Sequence, residues 1–247
     1  MSVFLTCPDF GWRLPAFACD GNWGGSAADF RRVMDLEPHN SLPYLFYPPF
    51  LAICGQLEEA RRLARYALSL DPLSAVVHFR LGLSELYAGH LPAAIASFEA
   101  GIQQHAQFPL NYFHQAIALA FVGDRDAAIR RADEADALAG SNPMVLASRG
   151  FVLAQCGLRD GAEAIARQLE MLCAGRLISP LLPAIVFSGL NDLDRAASML
   201  RLALDRKSFF LLPYLSSPLL ASLHRWDGLA DVLNLVNCPV PLPPITA

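Results

Sequence analysis

Charged side chains are scarce in this chain. Asp, Glu, Lys and Arg make up 17% of its 247 residues, against 54% apolar, and the net charge is −4. Acidic and basic residues are interspersed, so the basic stripe that would follow a phosphate backbone is missing, and direct nucleic-acid binding is not expected. Arg61, Arg62 and Arg65, with Arg130 and Arg131, come nearest to one; they read as solvated outer faces of helices. Long hydrophobic runs are also missing. Leu42–Cys54, Leu177–Leu190 and Phe209–Leu223 are the most apolar stretches. Each is shorter than the roughly 18–20 residues a membrane span requires, and each contains proline. The start, MSVFLTCPDF, has no basic residue and no signal-peptide core.

The motifs of common chemistries are absent too. There is no G-x-x-x-x-G-K-[ST], no G-x-G-x-x-G and no G-x-S-x-G. Cys7, Cys19, Cys54, Cys156, Cys173 and Cys238 form no C-x-x-C pair; scattered among apolar residues, they suit buried filler in a reducing compartment, a cytoplasm. His39, His78, His90, His105, His114 and His224 make no H-x-x-x-H pair, so no metal site is expected. Paired carboxylates occur at Glu58 and Glu59, Asp124 and Asp126, and Asp192 and Asp194. All three pairs precede or open a predicted helix, where negative charge is favourable, so capping accounts for them better than acid–base work. No catalytic residue and no cofactor is nominated, and the chain is not expected to be an enzyme.

What the chain does have is a period. Gly55, Gly89, Gly123 and Gly157 are each 34 residues apart, and the series continues to Asn191, the other residue that readily takes left-handed backbone angles. Ala60, Ala94, Ala128, Ala162 and Ala196 keep the same interval. So do Gly82, Ala116, Gly150 and Ala184. Between the glycines, apolar residues recur at helical spacing: Val76, Phe79, Leu83 and Leu86, then Ala94, Ile95, Phe98 and Ile102. Ser74 suits an N-cap, and Asp71-Pro72 ends the helix before it. The small residues mark where paired helices approach closely. A fixed period of this length means stacked helical hairpins, an all-α solenoid, and favours binding over catalysis.

The pattern resembles the tetratricopeptide repeat, a 34-residue helix–turn–helix unit. The family's bulky first-helix residue falls on Tyr44, His78, Tyr112 and Leu146. Its large second-helix residue falls on Phe30, Phe98 and Leu200, with alanine at Ala64, Ala132 and Ala166. Its helix-ending proline falls on Pro38 and Pro72, whereas Ala106, Gly140, Ala174 and Ser208 replace it later, and Pro48 replaces a usual small residue. The resemblance implies a right-handed superhelix. Residues 1–40 would be a degenerate repeat with a first helix through Phe10–Ala18, and residues 41–207 would hold five repeats. Residues 208–236 would hold a closing helical pair (Phe209–Leu223 and Trp226–Val236), followed by a proline-rich tail, 237–247, lying free or docked on the chain itself.

WGGSAADFRRVMDLEP, EEARRLARYALSLDPLSAVVHFRLGLSELYAG and ISPLLPAIVFSGLNDLDRAASMLRLALD together look like the tetratricopeptide region of bacterial multidomain regulators. There the region accompanies a winged-helix DNA-binding, nucleotide cyclase or kinase domain. That resemblance implies a sensory or assembly role. In the family generally, first helices line a concave groove that takes a protein or peptide. By that geometry the second repeat offers Phe79, Arg80, Leu83 and Tyr87, with Leu45 and Phe46 before them. Phe113, His114, Ile117 and Phe121 follow, then Phe151. Leu42, Val76, Leu110 and Met144 stand at the first turns of the same helices. Arg80 is the one cation comparable to a carboxylate clamp, so acidic chaperone tails are not expected. An apolar or amphipathic segment fits the groove, with self-association as a second possibility and a small apolar ligand as the regulatory alternative. His114, against an apolar wall, would titrate near neutral pH.

Overall fold

The computed structural model describes residues 23–140, 142–206, 208 and 217–225. Among them are eleven α-helices, one 3-10 segment and no strand. Helix α1 (Trp23–Leu36) precedes five hairpins. These are α2 (Ser41–Ile53) with α3 (Leu57–Leu70), α4 (Ala75–Tyr87) with α5 (Leu91–Gln104), and α6 (Pro109–Val122) with α7 (Arg125–Ala139). They continue with α8 (Pro143–Gln155) and α9 (Arg159–Ala174), then α10 (Leu181–Gly189) and α11 (Leu193–Asp205). The 3-10 segment η1 is Pro218–Arg225. The expected helix through Phe10–Ala18, the segment Trp226–Val236 and the tail lie outside the described residues. Of the expected helix Phe209–Leu223, residues 217–223 are described, and from Pro218 they are 3-10 and not α-helical.

Each hairpin turn closes in the same way. Gly55, Gly89, Gly123 and Gly157 have φ of 71°, 77°, 85° and 79°, and Asn191 has 57°. The N–H of the left-handed residue reaches back three residues and that of the next residue reaches back five. Gly89 thus bonds Leu86 and His90 bonds Glu85; Asn191 bonds Ser188 and Asp192 bonds Phe187. This is the Schellman closure, which satisfies the last carbonyls of the first helix. Side chains of Asn40, Ser74 and Asn142 cap α2, α4 and α8, and Asp124 and Asp192 cap α7 and α11. Glu58 and Glu59 do not cap. They sit in the first turn of α3 and pair with Arg61 and Arg62.

At two of the four places where the helix-ending proline is missing, Gly140 and Ala174, the second helix runs on. Helices α7 and α9 have 15 and 16 residues, against 14 in α3 and α5. The turn after α9 is closed by Arg176 at φ 55°, an uncommon angle for a residue with a Cβ. Pro48 and Pro49 do not interrupt α2.

The small-residue series sit where helices touch. Ala60, Ala94, Ala128, Ala162 and Ala196 are fully buried. A Cβ on Gly82 would stand 2.5–2.8 Å from the Phe98 ring, and one on Gly150 would stand 2.9 Å from Ile165 and Val186. Successive first helices (α2, α4, α6, α8, α10) pack on one another, whereas successive second helices approach less. First helices therefore lie on the inside of the curve. Long ionic side chains span the wider outer gaps. Arg131 reaches Glu99 at 2.7 Å, and Arg195 reaches Glu163 at 2.9 Å. Arg61 and Arg65 of α3 each grip Glu85 of α4 at 2.8 Å. For Arg61 this corrects the expectation of a solvated outer face: its side chain is only 13% exposed, because it lies on the packed α3–α4 seam against buried Glu85, whereas Arg62, Arg65 and Arg130 are exposed as expected. Burial pushes the Glu85 carboxyl up, but the Arg61 and Arg65 guanidinium groups outweigh it and hold the carboxyl below its ordinary value.

Candidate partner-binding face

The inner face is built by one stripe from each first helix. Helix α2 contributes Leu45 and Phe46, both half-buried. From α4 come Phe79, buried, and Arg80, Leu83 and Tyr87, half-buried. Helix α6 contributes Phe113, His114 and Ile117, all buried, and Phe121, half-buried; α8 contributes Phe151, buried. The predicted set thus divides in two. Phe79, Phe113, His114, Ile117 and Phe151 are packed into the hairpins. Leu45, Phe46, Arg80, Leu83, Tyr87 and Phe121 retain accessible surface.

The buried half is an aromatic cluster. His114 lies with its ring centroid 4.9 Å from Phe79, 5.8 Å from Phe98 and 3.8 Å from Phe113, and Phe108 meets Phe79 edge-on at 5.9 Å. His114 Nδ1 donates to the Leu110 carbonyl at 2.9 Å, which assigns the proton of the neutral ring to Nδ1. Burial pushes the imidazole down to about 3; the Leu110 bond opposes this, and the nearby Arg80 charge adds to it. His114 therefore does not titrate near neutral pH, and that expectation is corrected. An imidazole enclosed by three rings cannot be charged without water.

Arg80 ties the accessible half together. Its guanidinium lies 5.8 Å from the Phe46 centroid and 5.4 Å from that of Phe79, so one cation faces rings from two successive repeats. Phe121 meets Phe151 edge-on at 5.9 Å, joining the third repeat to the fourth. At the rim, Leu42 is 50% exposed and Val76 38%. Leu110, Met144 and Ile178 follow at the same 34-residue step and are half-buried. Sequence reading stopped this rim series at Met144, although its spacing reaches Ile178.

A second concavity was not anticipated. An open cleft of about 930 Å³ lies where α7, α8 and α9 meet the α9–α10 connection, with Leu146, Leu172, Leu177 and Ile178 among its apolar lining and Asp133 and Asp136 on its wall. The signal for it was the missing proline at Gly140 and Ala174, since both unusual junctions border this cleft. Among the described residues no His, Cys, Asp and Glu group could hold a metal ion, and no helix is long and apolar enough to cross a membrane.

No family model and no curated protein matches the sequence. Solved structures do match. A chain of the APC/C hetero-tetramer Cut9–Hcn1 aligns with 93% of this chain over 43% of its own length, at TM-score 0.63 and 16% identity. A tetratricopeptide repeat protein from Parabacteroides merdae aligns with 92% of this chain over 97% of its own, at TM-score 0.54 and 12% identity. The chain has the tetratricopeptide-repeat fold. MamA is similar over 69% of this chain and 93% of its own, at TM-score 0.51 and 20% identity. At such identities the likeness concerns the tetratricopeptide-repeat fold alone. It leaves the partner to be argued from the side chains that this solenoid turns inward.

Proposed function

We propose that the chain is a protein-interaction scaffold that takes an apolar or amphipathic segment along its inner face, without catalysis. The observation that carries this is the half-buried set Leu45, Phe46, Arg80, Leu83, Tyr87 and Phe121, drawn from three successive first helices, with the Arg80 guanidinium over the Phe46 ring. Such a set suits helix-in-groove recognition, with aromatic anchors supplying the contact and a single cation orienting it. The partner is a protein or peptide, and a second copy of the chain is an alternative occupant. The buried cysteines Cys54, Cys156 and Cys173, scattered through the repeats, suit a reducing cytoplasm.

Quantitative affinity capture compared between the wild-type chain and Phe46→Ala with Phe121→Ala tests the reading. The double variant is expected to lose the specific partner while keeping its helical circular dichroism. Unchanged recovery would count against it. Phe79 and Phe113 do not suit this test, because truncating buried rings costs about 3–5 kcal/mol and confounds binding with folding. The regulatory alternative, a small apolar ligand in the same channel, rests on the phrases between Trp23 and Asp205 that resemble bacterial regulators. Native mass spectrometry showing a bound lipid or metabolite would favour it.

A further inference from the structure

The cleft of about 930 Å³ has a local cause in the repeat register. Tyr44 and Tyr66 meet edge-on, with centroids 4.8 Å apart, at the end of the first hairpin away from its turn. Three repeats on, the same two positions hold Leu146 and Gln168, and both line the cleft. Tyr44, His78 and Tyr112 are buried, so each preceding hairpin fills this place with a ring, whereas the fourth offers only the half-buried Leu146. Leu172, Leu177 and Ile178 continue the apolar wall, and Leu177 is 74% exposed. The opposite wall is acidic. Among the residues that line the cleft only Asp133 and Asp136 carry charge. Arg149 of α8 holds Asp133 at 2.9 Å. Asp136 is half-buried and forms no ion pair among the described residues. Three of the other four second helices carry Leu68, Ile102 and Leu204 at its register position, all packed on the core. Packing of the stack therefore does not call for a carboxylate there.

We propose that this cleft is a second docking site, which takes a segment of a partner protein bearing an aromatic side chain beside a lysine or arginine. The ring takes the place that Tyr44, His78 and Tyr112 fill in the earlier hairpins, against Leu146, Leu172 and Leu177. The cation pairs with Asp136, a charge-assisted contact that the surrounding apolar wall partly shields from water. Rings and cations set in a pocket are the usual anchors of a protein interface. The cleft is open, so a small molecule would leave much of its surface in water, whereas a polypeptide covers the opening with its own backbone. The site is built at the ends of α7 and α9 away from the hairpin turns and touches the rim of the inner face only at Ile178. It stands whether or not the inner face takes a partner.

The test titrates the full, isotope-labelled chain with a blocked peptide carrying a central Trp-Lys pair between serines and glycines, and with its Trp-Glu counterpart. The Trp-Lys peptide is expected to give saturating amide shifts at residues 133–140 and 168–178, with the Trp-Glu peptide binding about ten-fold more weakly. Asp136→Asn should weaken the Trp-Lys peptide about ten-fold and remove its advantage over Trp-Glu. Leu146→Tyr, which restores the ring of the earlier hairpins, should abolish binding while the helical circular dichroism stays intact. Equal affinity for the two peptides, no saturating shift at the cleft, or undiminished binding to the Leu146→Tyr chain would overturn the site. Phe46→Ala with Phe121→Ala separates the two surfaces. It should leave Trp-Lys binding unchanged; loss of binding in that variant would place the peptide on the inner face, overturning this site and supporting the other.

Discussion

At the scale of single residues, two kinds of position carry the fold, and each has its own test. The turn glycines are there for backbone angle alone. A Cβ at Gly89 would meet nothing within 4 Å, so Gly89→Ala isolates the left-handed conformation and should cost about 1 kcal/mol in urea unfolding. Arg176→Gly, which relieves the same angle, should gain a similar amount. His114 is the other kind. Its folded pKa of about 3 lies below the ordinary value of 6.5, so its contribution is complete above pH 6.5 and is lost as pH falls, where the unfolded chain binds a proton and the folded chain does not. Stability should therefore decline by about 1 kcal/mol per pH unit below pH 6.5. His114→Gln, which can still donate to the Leu110 carbonyl, should flatten the decline in thermal scans between pH 6.5 and 5.

At the scale of helices, close approach and wide gaps call for opposite side chains. Gly82 lets α4 approach α5 until the Phe98 ring fills the space of a Cβ. Gly82→Ala should cost about 1–3 kcal/mol by overpacking, and Phe98→Leu in the same chain should recover part of it. Between successive second helices the demand reverses and arginine–glutamate pairs span the gap, while at the packed α3–α4 seam Arg61 and Arg65 meet on Glu85. Glu85→Ala should destabilise by about 2–3 kcal/mol, since it leaves two guanidinium groups without their shared carboxylate and one of them is well exposed. The helices themselves were legible in sequence. Ser74, Asp124 and Asp192 cap where their position before a periodic segment predicts. Glu58 and Glu59 were read correctly as helix-start residues but wrongly as caps. A carboxylate three residues before an arginine has a side-chain partner that sequence position alone does not weigh against the backbone.

At the scale of the whole molecule, the solenoid has an inside and an outside because first helices pack on each other more closely than second helices do. Protection should follow that asymmetry. Helices α6 and α10 each bury eight consecutive residues, Asn111–Ala118 and Leu181–Ser188, and their amides should exchange most slowly. Helix α1, whose main packing among the described residues is on α2, should exchange fastest among the described helices. Partner binding on the inner face would slow exchange in α2 and α4 before it reached α11. The inner-face residues were identifiable from the 34-residue register, because register assigns a side chain to the first-helix stripe. Register could not say that Phe79 and Phe113 are enclosed while Phe46 and Phe121 are partly open, because that depends on which neighbours fold over them. The periodic residues alone determined the stacked-hairpin architecture, since left-handed turns and glycine–ring contacts are local demands that recur with the repeat. Only the tertiary structure decided how the outer arginines are used, how deep His114 lies and that Ser222 meets Ser188. Each of these depends on distances between groups far apart in the chain, and those distances follow from the curvature of the whole stack.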